Sequence, residues 1–224
     1  MKRADMKRRL YIFGAAGFAV ETIRIAHAIG GFEVVALVEA DSATLPEGGR
    51  LEVDSELTVN VIRQSELRTL LTTTTEKPCG AIAIANPNIC RKIVAEFGSL
   101  LDWPALIHPT AIIDPEATVG RGVIVYPQSI VSWRAEIGSF TKLQAGVTVG
   151  HEAVVGEFCE LNPRATISGR VTIGSDSLIG ASAAILQGIT VGQNSTVGMG
   201  AVVVKSVESG VTVVGNPAKE LIKQ

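Results

Sequence analysis

The sequence predicts a two-part chain: a small α/β domain with a Rossmann-like parallel sheet, followed by a parallel β-helix of hexapeptide repeats. In the first hundred residues, short apolar strands alternate with segments of helical periodicity, the order expected of a parallel sheet covered by helices. From Ile107 to Val203 an aliphatic residue stands at every sixth position without interruption. This change of period predicts domains at residues 1–104 and 105–224.

The elements of the first domain follow from apolar periodicity and from glycine. Residues 10–13 form an apolar strand ending at Gly14, and residues 15–29 have helical spacing that Gly30 terminates. The same criteria predict strands at 33–38 and 81–85 and a second helix at 88–97, whereas 42–60 show no clear period.

Each hexad of the second domain supplies one short strand and one corner, so three hexads make a triangular coil of eighteen residues. The large aliphatic residue points inward, glycine often follows it, and the fifth position is small. Because one coil cannot bury its own apolar face, the coils must stack.

Composition excludes several classes of partner. The formal net charge of −2 leaves no basic surplus for nucleic acid, and no apolar run is long enough to span a membrane. The three cysteines, Cys79, Cys90 and Cys159, contain no CxxC pair, which favours a reducing, cytoplasmic location.

A series of motifs covers nearly the whole chain: YIFGAAGFAVE, LVEAD, AIAIANPNICRKI, LIHPTAIID, GHEAVVGEF and VVGNPAKELI occur in that order. The series resembles the hexapeptide-repeat nucleotide-sugar acetyltransferases that make acetylated bacillosamine or perosamine, and the related sialic acid O-acetyltransferases. The resemblance implies a left-handed β-helix that binds acetyl-CoA and a first domain that binds the nucleotide sugar. It also implies a homotrimer with active sites between subunits, no metal, and a role in bacterial surface-glycan biosynthesis.

His151 and Glu152 are the predicted catalytic residues. His151 is the third residue of its hexad, at a corner, where the resemblance implies a general base followed by an acidic residue. Attack of an amine or hydroxyl on a thioester needs a group that accepts a proton near neutral pH, as imidazole does. Without the surrounding motif, an exposed corner histidine is the simpler interpretation. His27 and His108 are interpreted as structural.

Stacking at eighteen residues puts Trp133 and Gly169 on the two coils next to His151. We expect Gly169 to leave room for a pantetheine arm and Trp133 to form a wall of the sugar pocket. In the adjacent column of stacked residues the charges alternate in sign. One interpretation is a row of surface ion pairs of little energetic effect. The other is that the arginines hold Glu152 ionised or reach a phosphate. Its members are Glu116, Arg134, Glu152 and Arg170.

The glycine-rich turn GAAGFA predicts a phosphate site at a helix N-terminus, with a ligand-free tight turn as the alternative. Its spacing departs from GxGxxG, which favours a nucleotide diphosphate over a dinucleotide. An acidic residue ending the second strand can bind ribose or base, and Glu39 and Asp41 compete for that role. With the positions that the resemblance adds, the predicted substrate-binding residues of this domain are Gly14, Ala16, Gly17, Phe18, Glu39, Ala40, Ala85 and Asn86.

The resemblance assigns Gln144 to the substrate and Glu160, Ala181 and Met199 to acetyl-CoA, beside Gly169. The chain departs from the family at three of these positions. Phe18 replaces a histidine of the glycine-rich loop, Gln144 replaces an asparagine, and Glu160 replaces a histidine near the thioester. The departures imply either a different sugar or acceptor, or a weakened enzyme.

Several functions remain open on the sequence. The leading one is acetyl transfer from acetyl-CoA to an amino group of a nucleotide-linked sugar, by direct attack in a ternary complex with His151 as base. O-acetylation of a sialic acid or another sugar is the alternative within the class, and a catalytically silent trimeric nucleotide-sugar-binding protein is the alternative outside it. The loop spacing opposes a dehydrogenase, and two histidines in the repeats are too few for a zinc-dependent hydratase.

Overall fold

The structure is a computed structural model of the 224-residue chain and describes residues 7–221. The chain forms two compact units, divided between residues 106 and 107. None of the helices within residues 7–221 has the length and apolar character needed to cross a membrane.

The first unit is a five-stranded sheet with helices between its strands. Its elements are β1 Arg8–Phe13, α1 Gly17–Ile29, β2 Phe32–Glu39, β3 Arg50–Glu52, β4 Thr58–Arg63, α2 Gln64–Thr73, β5 Cys79–Ile82 and α3 Pro87–Phe97. The strand order is β3-β4-β2-β1-β5, and only β3 is antiparallel to its neighbour. The centroid of the Phe13 ring, on central strand β1, lies 5.1 Å from that of Phe97 and 5.8 Å from that of Trp103. These three buried rings belong to the core of the unit.

The predictions for this unit were right in element type and wrong in several bounds. The first helix begins at Gly17 and not at residue 15, because Ala16 keeps an extended backbone as the N-cap. The strand predicted at 81–85 is Cys79–Ile82, because Asn86 caps α3 and Pro87 opens it. Elements β3, β4 and α2 were missed.

The second unit is a left-handed β-helix in which the hexad pattern is realised residue by residue, and the prediction is confirmed. Seventeen two-residue strands each end on one of the predicted aliphatic residues. They are β6 Leu106–Ile107, β7 Ile112–Ile113, β8 Thr118–Val119, β9 Ile124–Val125, β10 Ile130–Val131, β11 Glu136–Ile137, β12 Lys142–Leu143, β13 Thr148–Val149, β14 Val154–Val155, β15 Glu160–Leu161, β16 Thr166–Ile167, β17 Thr172–Ile173, β18 Leu178–Ile179, β19 Ala184–Ile185, β20 Thr190–Val191, β21 Thr196–Val197 and β22 Val202–Val203.

Strands eighteen residues apart pair in parallel and build three sheets. Sheet I runs from β6 through β9, β12, β15, β18 and β21 and is closed by β23 Thr212–Val214 and β24 Lys219–Glu220. Sheet II contains β7, β10, β13, β16, β19 and β22, and sheet III contains β8, β11, β14, β17 and β20. We call the corners between sheets I and II edge I–II, and those between sheets II and III edge II–III.

The corners repeat one backbone conformation. Every sixth residue from Gly122 to Gly200 has a positive φ, between +52° and +73°, and ten of these residues are not glycine. Glu152, with φ of +58°, is one of them. Its left-handed conformation is therefore a property of the repeat and not a strain specific to the candidate site.

The frequent glycine at the second hexad position has a steric cause. A Cβ on Gly174 would lie 2.3 Å from the backbone nitrogen of Gln193 in the next coil. Small fifth-position residues are buried, and Cys159 is one of them. Burial raises the pKa of the Cys159 thiol to about 12, so this thiol is a core group.

Candidate functional site

The predicted substrate-binding residues of the first unit lie together at the carboxyl edge of its sheet. Gly14 follows β1, Glu39 ends β2, and Ala85 and Asn86 follow β5. Strand β1 lies between β2, which follows it in the chain, and β5, which is added later on its other side. This carboxyl edge is a topological switch point, where open α/β sheets bind ligands.

Helix α1 begins at the carboxyl edge without a side-chain cap. Ala16 makes no capping hydrogen bond, and the first turn contains no acidic residue. The other helices are capped: Asp41 Oδ1 accepts from Ser65 N at 2.9 Å, and Asn86 Oδ1 accepts from Asn88 N at 3.0 Å. The first backbone N–H groups of α1 are therefore available to an anion.

The glycines of the loop before α1 have two different roles. Gly14 has a φ of +106°, and a Cβ there would lie 3.0 Å from the carbonyl oxygen of Ala83. Gly14 is thus required for close approach to the chain after β5. A Cβ on Gly17 would meet no described atom within 4 Å, so this glycine leaves open space at the helix start.

Glu39 and Asp41 were both candidates for binding ribose or base, and the carboxylate of Asp41 is already used to cap a helix. This helix is α2, and the backbone N–H of Ser65 holds the pKa of Asp41 below its ordinary value. The guanidinium of Arg63 donates to the carbonyl oxygens of Asp41 and Ala43 and fixes the same loop. Glu39, at the end of β2, is therefore the remaining acidic candidate for binding a ligand at the carboxyl edge.

His151 and Glu152 form a pair on edge II–III, in the turn between β13 and β14. Both side chains are exposed, and His151 Nδ1 lies 3.1 Å from Glu152 Oε2. With a proton on Nδ1 donated to the carboxylate, Nε2 is the ring nitrogen that can accept a proton.

Gly169 lies on the next coil, directly against the imidazole of His151. A Cβ on Gly169 would come 2.5 Å from His151 Nε2. Backbone hydrogen bonds fix the three coils, since Arg170 N donates to His151 O at 2.8 Å and Glu152 N donates to Trp133 O at 2.9 Å. The structure thus brings His151, Glu152 and Gly169 together, as eighteen-residue stacking predicts.

The alternating charge ladder is only partly connected. Arg134 Nε lies 3.0 Å from Glu116 Oε2, and both side chains are exposed. Within residues 7–221, neither Arg134 nor Arg170 forms an ion pair with Glu152. The structure therefore favours the surface-pair interpretation of the ladder over arginines that hold Glu152 ionised.

Gln144 and Glu160 form a second cluster with a residue that sequence reasoning missed, Lys142. Gln144 Nε2 donates to Glu160 Oε1 at 2.8 Å, and Lys142 Nζ lies 3.8 Å from Glu160 Oε2. All three are 3–4% exposed. Burial raises the pKa of Glu160, against the opposing effects of Lys142 and Gln144. The signal for Lys142 was its position eighteen residues before Glu160, in a sheet of paired strands.

The two clusters do not meet in one chain. Gln144, Ala181 and Met199 lie on edge I–II, and Glu160 lies on the adjoining sheet I, whereas His151 lies on edge II–III. In the described part of the chain, no hydrogen bond or ion pair joins His151 or Glu152 to Gln144 or Glu160. The predicted residues of the second unit therefore lie in two separate places. His151 and Glu152 are exposed on edge II–III, whereas Gln144 and Glu160 are buried on the other side of sheet II.

One groove of the first unit lies apart from the predicted site residues. A groove of about 790 Å³ opens at the amino-terminal ends of β1 and β5, lined by Arg8, Arg9, Lys77 and their neighbours, and it includes none of the predicted site residues. Within residues 7–221, no three His, Cys, Asp or Glu side chains are grouped to hold a metal ion.

Comparison with known proteins gives matches over part and over nearly all of the chain. Residues 170–205 match the family described as the hexapeptide repeat of succinyl-transferase. No curated protein sequence matches. The acetyltransferase domain of PglB from Neisseria gonorrhoeae, solved with acetyl coenzyme A, is 31% identical, with coverage of 96% of this chain and 100% of that one and a TM-score of 0.83.

Two further solved structures are similar over the same extent. A mutant of perosamine N-acetyltransferase from Caulobacter crescentus, in complex with CoA and GDP-perosamine, is 26% identical, with 96% and 97% coverage and a TM-score of 0.84. WeeI from Acinetobacter baumannii is 26% identical, with 95% and 99% coverage and a TM-score of 0.82.

Proposed function

This chain belongs to the hexapeptide-repeat acetyltransferases of the perosamine and bacillosamine type, and from that premise we propose that it acetylates an amino group of a nucleotide-linked sugar. It is an acyltransferase with acetyl-CoA as donor. The finer assignment, to an amine on a nucleotide sugar in bacterial surface-glycan biosynthesis, is the proposal. The observation that carries the transfer step is the His151–Glu152 pair with its 3.1 Å contact, and the amine acceptor is proposed from the similarity to the perosamine N-acetyltransferase.

In the proposed reaction, His151 acts as the general base. Glu152 accepts a hydrogen bond from Nδ1–H and keeps the ring in the tautomer whose Nε2 is free. The neutral acceptor amine attacks the thioester carbonyl carbon, the C–N bond forms, and Nε2 takes a proton from the amine. The C–S bond then breaks, and the CoA thiolate leaves and takes up that proton from His151. General-base catalysis of this kind contributes about 10²–10⁴ in rate.

The nucleotide is proposed to bind at the carboxyl edge of the first unit. The uncapped N-terminus of α1, the open space at Gly17 and the free carboxylate of Glu39 are the groups that support it. Phosphate oxygens would accept from the N–H groups of α1, and Glu39 would accept from ribose or base. Phe18 and the Asn86 amide would border the same ligand.

A homotrimer with active sites between subunits is proposed from the separation of the two clusters. Sheet II lies between edge I–II and edge II–III, and no outward residue of its six strands is charged. These outward residues are Ile112, Ile130, Thr148, Thr166, Ala184 and Val202. If sheet II faces a threefold axis, edge I–II of one chain adjoins edge II–III of the next, and Gln144 of one chain then faces His151 of its neighbour.

A cytoplasmic location is part of the same proposal. Cys79, Cys90 and Cys159 are all free thiols in buried positions. Free thiols and a CoA thioester as donor both suit a reducing compartment.

The test is turnover. Purified protein with acetyl-CoA is assayed for CoA release against GDP-, UDP- and dTDP-linked amino sugars and against the matching hydroxyl sugars. We expect release with an amino sugar and a drop of about 10²–10⁴-fold in His151→Ala. Release only with hydroxyl acceptors would replace N- by O-acetylation, and binding of nucleotide sugar without any turnover would favour the silent scaffold.

A further inference from the structure

Trp133 is an exposed aromatic residue in a chain with few rings. Only 4% of the sequence is aromatic, and Trp133 is the one aromatic side chain within residues 7–221 that is exposed, at 40%. The other tryptophan, Trp103, is buried. Single exposed apolar side chains are common on protein surfaces, so the position of this ring, and not its exposure alone, decides what it can do.

The indole is held in place from one side. The Arg134 guanidinium lies over the ring at 4.3 Å from its centroid, and Arg134 Nε lies 3.0 Å from Glu116 Oε2. A stacked, ion-paired guanidinium covers ring surface and restricts the rotamers of both side chains. The Arg134 guanidinium therefore covers one face of the indole and leaves the remainder of the ring exposed.

The position of this surface relates it to the proposed base. Trp133 lies one coil from His151, about 4.8 Å along the stack, and its carbonyl accepts the Glu152 N–H at 2.9 Å. The coil on the other side of His151 carries Gly169 and has no side chain there. The two sides of the base thus differ: the imidazole itself covers the buried backbone of Gly169, and the opposite coil carries the flat ring of Trp133.

Resting on the proposed function, we propose that Trp133, backed by Arg134, is the platform on which the acceptor sugar stacks, so that it determines affinity for the sugar and not for acetyl-CoA. The acceptor amine must come within about 2.6–3.2 Å of Nε2, which holds the sugar ring at this corner. A pyranose presents C–H groups on its faces, and these pack against an aromatic face.

The experiment compares Trp133→Ala and Trp133→Phe with wild type, using the amino-sugar nucleotide with the highest wild-type turnover. We expect Trp133→Ala to raise the acceptor KM about tenfold or more and to leave the acetyl-CoA KM within twofold, with Trp133→Phe close to wild type. Arg134→Ala should raise the acceptor KM by a smaller factor. Val154→Ala, which truncates an exposed apolar residue of the adjoining sheet III, is the matched control.

Three results would contradict the role of Trp133 as a sugar platform. An unchanged acceptor KM in Trp133→Ala overturns the platform, and a raised acetyl-CoA KM moves Trp133 to the donor side. Loss of the oligomer in Trp133→Ala, seen by analytical ultracentrifugation, makes Trp133 an interface residue and overturns it as well.

Direct binding separates this proposal from the proposed function. GDP-perosamine and GDP alone, then the UDP and dTDP counterparts, are titrated by calorimetry into wild type and Trp133→Ala. The platform requires that the sugar nucleotide lose affinity in Trp133→Ala while the plain nucleotide does not. If wild type lacks turnover but shows this difference, acetyl transfer fails and the platform stands; if wild type binds no sugar nucleotide, both fail.

Discussion

The imidazole of His151 lies so close to Gly169 that a methyl group on Gly169 would come 2.5 Å from Nε2. Cβ atoms do not come this close to atoms to which they are not bonded, so the ring can keep its place only while position 169 lacks a side chain. The backbone of Gly169 itself has no positive φ, and alanine is therefore excluded by the histidine and not by the chain conformation.

Gly169→Ala should displace the His151 ring and leave the fold intact. A misplacement of about 1 Å at a reacting group reduces turnover about 10²-fold, so we expect a kcat lower by that factor with little change in the acceptor KM. Steady-state kinetics and circular dichroism measure the two effects.

The double variant Gly169→Ala/His151→Ala supplies the control. Since the methyl group clashes with the ring, any loss of thermal stability in Gly169→Ala should disappear when the ring is absent. Equal losses in both backgrounds would show that alanine is rejected by the neighbouring backbone instead.

Glu152→Gln should lower turnover by misorienting the base. Glu152 Oε2 lies 3.1 Å from His151 Nδ1 and accepts the hydrogen bond that keeps Nε2 as the free ring nitrogen. An amide can turn its NH2 group toward Nδ1 and favour the other tautomer, so we expect kcat to fall about tenfold or more with little change in the acceptor KM.

Glu157→Gln, at another exposed corner carboxylate, should leave kcat unchanged. An unchanged kcat in Glu152→Gln would remove Glu152 from the mechanism.

The β-helix could be predicted from sequence because each hexad repeats the same local choice. The residue that ends each strand is the aliphatic residue of the period, from Ile107 to Val203. The first unit has no such repetition, so β4 and α2 were missed: α2 buries only Leu67 and has a weak apolar face. The bounds of α1 and β5 depended on the caps at Ala16 and Asn86, which the apolar period does not encode.

The candidate site could be predicted where stacking relates residues by eighteen, as for Gly169 and His151. The partners of charged side chains could not be predicted, because they depend on side-chain rotamers. Arg134 pairs with Glu116, and Asp41 caps α2. The burial of Lys142 beside Glu160 also escaped, since a lysine at an outward strand position is usually solvated.

Mixed oligomers should recover activity lost in each parent. If a site takes His151 from one chain and Gln144 from its neighbour, co-refolded His151→Ala and Gln144→Ala chains form some sites in which both residues are intact. We expect each pure variant to be weak and the mixture to exceed their average clearly in CoA release. Activity that follows the average at every mixing ratio would mean that each site is built within one chain.

A charge on sheet II should break the oligomer, and the same charge on sheet III should not. Thr166 and Thr172 are both exposed outward residues of neighbouring strands, β16 on sheet II and β17 on sheet III. Thr166→Lys would place like charges around the proposed axis, and we expect smaller species in analytical ultracentrifugation with loss of turnover. Thr172→Lys is the matched control, and dissociation by Thr172→Lys alone would move the interface to sheet III.

The buried pair of Lys142 and Glu160 should make stability fall as pH rises. Because burial raises the pKa of Glu160 above its ordinary 4.5, the folded state holds that proton more tightly than the unfolded state. The resulting stability is fully present below pH 4.5 and is lost as pH rises through the folded value. Between pH 5 and 7.5, urea unfolding should show wild type losing free energy of unfolding relative to Glu160→Gln.

Lys142→Met tests the same buried charge from the other side. Without the ammonium 3.8 Å away, an ionised Glu160 has no opposite charge in its buried position, and the loss should be about 3–5 kcal/mol at pH 7.5. At pH 5 the loss should be smaller, because the carboxyl is then protonated in more of the molecules. Glu136→Gln, at an exposed carboxylate, should follow wild type at both pH values, and a Lys142→Met loss that does not vary with pH would mean that Glu160 stays ionised throughout.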